Sequence, residues 1–259
     1  FAQAYDVMVR SLADAGRLQS PDLLTHYQYP VAAMVYQAFA AYCLGRPEEA
    51  RAISDQALAI SRQSAQFTHS LTLANILILE RMQHGTDRTA ALLEELEHIA
   101  LARGAPFWVD LVGYHQGMDD VARGDLETGI ARMRQALATF EANSVEVEIP
   151  FYEAMLAEVL IDAGRITEAD SLLVDARARV ERTRERWPLA EILRLEMACA
   201  AATGDRDAAR RHLTEGRTVC AAQAATIWAE RLEADARKLG LAAPAPHPAP
   251  GASAMPGAA

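Results

Sequence analysis

The sequence predicts an all-α protein: an α-solenoid of about five to six antiparallel helical hairpins, with a period of about 40 residues, finished by a C-terminal capping helix. Three observations carry this expectation. Of the 259 residues 51 % are apolar but only 6 % aromatic, alanine is frequent and β-branched residues do not alternate, which favours helix over strand. Glycines recur at Gly45, Gly85, Gly124, Gly164 and Gly204, with spacings of 40, 39, 40 and 40 residues. Prolines at Pro30, Pro106, Pro150 and Pro188 precede four of these glycines by 14 to 18 residues, a position suited to the first turn of a helix that the glycine ends.

Each part of the repeat has a physical task. The turn segments read "LGRPEEA", "HGTDRTA", "RGDLETG", "AGRITEA" and "TGDRDAA". Glycine takes the left-handed conformation that closes one helix, here called the A helix. The acidic and hydroxyl residues after it favour the start of the next, the B helix. Five residues past each glycine stands Ala50, Ala90, Gly129, Ala169 or Ala209, small enough for close helix approach. Twelve past it stand Ala57, Ala136, Ala176 and Gly216, with Glu97 the exception.

In chain order, residues 2–15 predict a helix, the B helix of a partial repeat, and 16–30 a loop, together a first unit over 1–30. The repeat domain spans 31–240. Its A and B helices are expected at 31–44 and 47–63, 68–83 and 87–102, 106–122 and 126–142, 150–163 and 167–184, and 188–202 and 206–222. A helix at 225–239, with Glu230, Glu233 and Arg237 on a charged face, suits a cap. Residues 241–259, "LAAPAPHPAPGASAMPGAA", are too rich in Pro, Ala and Gly to build a core and are expected to be disordered. Aromatic residues mark the A-helix starts: Tyr29, Phe67, Phe107 with Trp108, Phe151 with Tyr152, and Trp187. They are expected to plug the seams between hairpins. The chain opens on Phe1 with no signal-peptide pattern, which predicts a segment of a longer, cytoplasmic protein.

A formal net charge of −10 argues against nucleic acid or an anionic membrane as partner of this segment. The basic spots Arg177, Arg179, Arg182, Arg184 and Arg186 alternate with Glu181 and Glu185, as on a solvated helix face. Three widely spaced cysteines, Cys43, Cys199 and Cys220, make no disulfide framework and are expected as small buried hydrophobes. The single lysine, Lys238, is not in a phosphate-cradling Gly-Lys-Ser/Thr turn, and no HExxH helix, paired CxxC or GxSxG elbow is present. Glu94, Glu95, Glu97 and His98 share a helix, but no second histidine stands at i±3 or i±4, so they are expected as an acidic face. The expectation is therefore a chain with no catalytic residues, cofactor or metal.

Glycine at the A–B turn, alanine five later and a small residue twelve later resemble the tetratricopeptide repeat, with a period longer than its usual unit of about 34 residues. The segments "GDLETGIARMRQALATF", "IPFYEAMLAEVLIDAGRITEADSLLVDA" and "ERTRERWPLAEILRLEMACAAATGD" resemble the C-terminal helical-repeat region of bacterial proteins with a signal-transduction ATPase module. In that group an adenylate/guanylate cyclase-type domain precedes the ATPase, or the partner domain is a LuxR-type or winged-helix DNA-binding domain. The resemblance implies a non-catalytic sensor or scaffold arm and carries over no site residue.

The surface left to such an arm is the concave side, which A helices line in stacked hairpins. Counting back from each glycine places Tyr42, Thr72, Asn75, Gln83, Tyr114, Glu158, Asp162, Glu191 and Arg194 there. The set is polar and aromatic in the middle and acidic toward the C-terminal half. It suits a protein or peptide partner with some positive charge, or another domain of the same chain. Self-association as a structural scaffold is the alternative.

Overall fold

The computed structural model describes residues 1–15, 29–83, 88–104 and 106–241. Among them are twelve helices and no strands: α1 (Ala2–Ala15), α2 (Tyr29–Cys43), α3 (Pro47–Ser61), α4 (Gln66–Met82), α5 (Thr89–Arg103), α6 (Pro106–Ala122), α7 (Leu126–Ala142), α8 (Ile149–Asp162), α9 (Ile166–Thr183), α10 (Leu189–Ala202), α11 (Arg206–Gln223) and α12 (Thr226–Lys238). The helix boundaries lie within about two residues of those expected, the ordinary fraying of helix ends. The loop at 16–28, the ring of Tyr29, the Gly85 turn and the tail at 242–259 lie outside the described residues.

Burial separates the two helix types. The B helices bury one stripe at spacings of three and four: Gly129, Ile130, Met133, Ala136 and Phe140 on α7; Ala169, Leu173, Ala176 and Val180 on α9; Ala209, Leu213, Gly216 and Cys220 on α11. Such a stripe covers one face and leaves the other to water. The A helices α4, α8 and α10 are buried nearly all round, from Thr72 to Glu80, Ile149 to Ala157 and Leu189 to Met197. A helices therefore form the inside and B helices the outside. The turns that join them use glycine where expected: Gly45, Gly124, Gly164 and Gly204 have φ of +81°, +91°, +73° and +84°.

Polar bonds between helices fall about one hairpin apart in sequence. Tyr42 Oη donates to Met82 O at 3.0 Å, Gln223 Nε2 to Arg186 O at 2.7 Å and Arg206 Nη2 to Gly240 O at 2.7 Å. Arg165 pairs with Glu127 at 3.2 Å, and Arg134 pairs with Glu168. Each hairpin is thus tied to the next.

The second hairpin differs in register. Ala90 is exposed, whereas Thr89, Leu92, Leu93, Leu96 and Ala100 are buried. The buried stripe begins one residue earlier than in the other B helices. That shift explains why Glu97 breaks the small-residue pattern: Leu96 takes the inward position.

One further expectation changes. The arginines of α9 are not simply a solvated face: Arg177 reaches Glu196 at 2.7 Å and also Glu215, Arg179 reaches Glu153 at 3.3 Å, and Arg182 reaches Glu146 at 3.0 Å. The first and last described segments also come together. Helix α12 packs against α2 as well as α10 and α11, Phe39 meets Trp187 edge-on at 5.8 Å, and the Phe1 backbone nitrogen donates to Gln223 O at 2.6 Å. The beginning and end of the described chain meet.

Backbones approach closely where α6 packs on α7. A Cβ on Gly117 would sit 2.7 Å from Gly129 O, and one on Gly129 would sit 2.5 Å from Gly117 O. Neither backbone can yield without separating the helices. Gly129→Ala is predicted to cost about 1–3 kcal/mol in unfolding free energy despite alanine's better helix propensity. Gly216→Ala meets the end of a flexible side chain, the Leu232 Cδ2 methyl at 2.8 Å, as its one tight contact, and is predicted to cost less. Urea denaturation midpoints of the two variants make the comparison.

Candidate binding site

The nine residues expected on the concave side do not form one surface. Tyr42, Thr72, Asn75, Tyr114, Glu191 and Arg194 are buried, Gln83 and Glu158 are half-buried and Asp162 is exposed. The A helices pack against one another, α2 on α4, α8 on α10 and α10 on α12, so the positions counted as groove-facing meet protein instead. Tyr42 and Tyr114 donate to backbone oxygens of the next hairpin, at Met82 and Tyr152. Thr72 Oγ1 and Gln83 Nε2 donate to carbonyls one turn back in their own helix, of Thr68 at 2.7 Å and Leu79 at 3.3 Å.

Three of the nine do come together, in an ionic cluster between α8, α10 and α12. Arg194 is only 6 % exposed. Its guanidinium holds Glu191 through two bonds of 2.9 and 2.7 Å, Asp235 at 2.5 Å, and Glu158. Arg231 reaches Glu191 at 2.9 Å and Glu158 at 3.4 Å, and Lys238 caps Asp235 at 2.9 Å. Burial by itself would push the Glu191 carboxyl up, but Arg194 and Arg231 outweigh it and hold it below its ordinary value. Asp162, beside the cluster, is raised by burial and by the Glu158 charge. Arg231 and Asp235 have no signal in the repeat pattern, since they sit on the capping helix. The cluster joins α8, α10 and α12 and has its charges matched, so it serves as a clamp.

One set of residues facing open space lies between the first helices and the connections before α8 and α10. A cavity of about 430 Å³ is walled by Phe1, Ala4 and Met8 of α1, Tyr36, Phe39 and Ala40 of α2, Asn75 of α4, and the connections before α8 and α10. Its walls are mostly apolar. Its polar groups are the carboxylates of Glu146, Glu148 and Glu185, the Thr183 hydroxyl, the Tyr36 phenol and the Asn75 amide, and no arginine, lysine or histidine lines it. Two shallow grooves continue it, one along Leu71, Phe107, Trp108 and Val147, the other along Val35, Thr68 and Thr72.

The A-helix starts build this cup. Glu148 precedes α8 with a left-handed φ of +68°, and its N–H donates to both Glu185 oxygens at 3.0 Å. Trp187 Nε1 donates to Glu185 Oε1 at 2.7 Å, and the Trp187 ring stacks on Phe151 at 4.8 Å. The shared Glu148 N–H and the Trp187 N–H fix the position of the Glu185 carboxyl. Burial pushes the Glu148 carboxyl up to about 7, and the Glu185 charge adds to the shift. Burial, then Glu148 and Glu185, also raise the Tyr36 phenol. Asn75 Nδ2 donates to Leu71 O at 2.9 Å, which leaves its buried Oδ1 with no partner. Chemically the cup is a set of hydrogen-bond acceptors in an apolar wall, matched to a donor or a cation on an apolar group.

Asn75 is the one expected site residue in the main cup, with Thr72 in an adjoining groove. Phe39, Glu148 and Glu185 were not legible as site residues, although Glu148 and Glu185 stand 37 residues apart, each just ahead of an A helix. Of the expected seam aromatics, Phe151, Tyr152 and Trp187 pack between hairpins. Phe67 is 68 % exposed and meets only the edge of Trp108 at 6.2 Å. Glu95 takes Arg62 at 2.7 Å and His69 at 2.9 Å, and Cys43, Cys199 and Cys220 are free and buried.

No family model matches the sequence, and no curated protein matches it. Among solved structures, the crystal structure of BtubC (BKLC) from P. vanneervenii is similar, with a TM-score of 0.51 and 16 % identity over 100 % of this chain and 98 % of that one. At that identity the likeness is one of fold, and it runs the length of both chains.

Two variants test the electrostatics. Arg194→Ala leaves Glu191, 3 % exposed, short of its main partner and is predicted to cost about 3–5 kcal/mol near neutral pH. The stabilisation from Glu191 is present above the ordinary glutamate value of 4.5 and is lost as pH falls through its lower folded value, so the wild-type and variant curves converge in acid. Glu148 has the opposite sign. Between 4.5 and about 7 the folded chain binds a proton that the unfolded chain releases, so stability falls as pH rises across that window. Glu148→Gln is predicted to exceed wild type at pH 8 by on the order of 1–2 kcal/mol, and to match it near pH 4. Chemical denaturation across pH 4–8 reads both.

Proposed function

We propose that this chain is a non-catalytic binding arm, a tetratricopeptide-like α-solenoid in the cytoplasm whose acid-lined apolar cup receives a ligand or partner segment. The observation that carries the reading is the cup itself: aromatic and aliphatic walls, polar groups that are mostly acceptors, and an unpartnered Asn75 Oδ1. The glycine period, the left-handed turns and the hairpin-to-hairpin bonds support the repeat reading. The resemblance of the third to fifth repeats supports a parent of the cyclase–ATPase signalling type.

The position of the cup provides a mechanism. Its walls come from α1, α2 and α4 on one side and from the connections before α8 and α10 on the other. An occupant ties α1, α2 and α4 to the connections before α8 and α10, and its absence leaves them joined by fewer contacts. Binding then shifts the balance between two curvatures of the arm, by no more than the difference in affinity for the two.

The neutral, solvatochromic dye Nile red tests this. It is expected to bind one per chain with a blue-shifted emission. Ala4→Trp places an indole at the exposed mouth of the cup and is expected to weaken the dye at least fivefold while leaving the circular dichroism spectrum intact. Equal binding by wild type and variant, or no binding by either, overturns the assignment of the cup.

A further inference from the structure

The cup's acceptors are arranged more narrowly than a general apolar pocket requires. Apolar pockets gain specificity from a few polar groups, and a group left unpaired in the empty site selects a ligand that pairs it. Asn75 Oδ1 is such a group: the residue is 3 % exposed, its own N–H is spent on Leu71 O, and no donor approaches the oxygen. Glu148 is the second. Its N–H is occupied by Glu185, whose two oxygens are taken by that N–H and by Trp187, so the free carboxylate of the pair is that of Glu148. Glu146, at the mouth, is already paired with Arg182 at 3.0 Å, whereas no arginine, lysine or histidine of the lining answers Glu148.

We infer that the cup takes a small organic ammonium: an apolar body held by Met8, Phe39 and Trp187, and one protonated amine received by Asn75 Oδ1 and the Glu148 carboxylate. A cation paired with a carboxylate inside an apolar wall makes a charge-assisted hydrogen bond, stronger than the same contact from a neutral hydroxyl. An anion of the same size meets the carboxyls of Glu148 and Glu185 with no arginine, lysine or histidine in the lining to hold it, and is disfavoured. The cavity of about 430 Å³ lies in the size range of small-molecule pockets. The inference rests on the reading of the cup as a binding site and adds the charge and class of its ligand.

Binding is also linked to protons. The groups facing Glu148 are Glu185 from the α9–α10 connection, Tyr36 from α2 and Tyr152 from α8, all acidic or neutral. With burial and Glu185 holding the empty-site carboxyl near 7, an arriving ammonium draws it into the ionised form and releases a proton. Affinity therefore rises with pH until the carboxylate is fully formed.

Competition against Nile red on the full chain provides the test, with phenethylamine, its neutral counterpart phenethyl alcohol, and a short lysine-containing peptide as the three probes. Phenethylamine is expected to displace the dye at least about tenfold better than the alcohol at pH 8. Its affinity is expected to rise about tenfold from pH 6 to pH 8. Glu148→Gln is expected to abolish that pH dependence and most of the preference for the amine, and Asn75→Ala to weaken the amine with the pH dependence retained. Equal displacement by amine and alcohol overturns the inference while the cup remains a binding site. Displacement by the peptide alone overturns it in favour of a macromolecular partner. Failure of Nile red itself to bind overturns the reading beneath it.

Discussion

Enclosure of the inner helices is the constraint on which the rest of the molecule depends. A helix surrounded on all sides has no water to satisfy a polar side chain, so each one it carries must be paired within the protein. Helix α10 is apolar from Leu189 to Met197 except for Glu191, Arg194 and Glu196, all buried. The first two face each other and the acids and arginine of α8 and α12. Glu196 takes Arg177 at 2.7 Å from the outer helix α9. The charges that would be costly alone become the links between layers.

The same constraint explains the small residues. An inner helix can be enclosed only if the outer helices come close, and close approach needs Ala or Gly at the crossing. Ala50, Ala169 and Ala209 are completely buried, and at Gly117 and Gly129 even a methyl group would strike backbone. The second hairpin shows that the requirement attaches to the crossing and not to a count from the glycine. There the stripe moves by one residue, Thr89 and Leu96 face inward, and Glu97 is released to bond Gln116 at 3.0 Å.

Packing of α1, α2 and α4 against the connections before α8 and α10 creates the acidic, apolar cup described above. Residues that are unrelated in the repeat, Phe39 on the first inner helix and Trp187 ahead of the last, become neighbours at 5.8 Å. Glu148 and Glu185 do occupy comparable places, each ahead of an inner helix, and they meet because their hairpins are adjacent. Asn75 Oδ1 has no partner, as His115 Nε2 and Tyr152 Oη on other inner helices have none, but Asn75 also lines the cup, a property visible only when all its neighbours are placed.

The all-helical class, the helix boundaries, the left-handed glycines and the small inward positions of four of the five B helices follow from local chemistry: propensity, period and turn geometry act over a few residues and can be read along the chain. Counting from the same glycines correctly picked Glu158, Glu191 and Arg194 as residues on one side of their helices. It misjudged what that side meets, because exposure depends on how far successive hairpins rotate, and that angle is the sum of many side-chain contacts. Tertiary structure decided that the ends touch, that Tyr42 and Tyr114 are buried, that Arg231 and Asp235 complete the clamp, and that Glu148 lies in a cup. Each of those facts joins segments through space, and a linear pattern has no term for them.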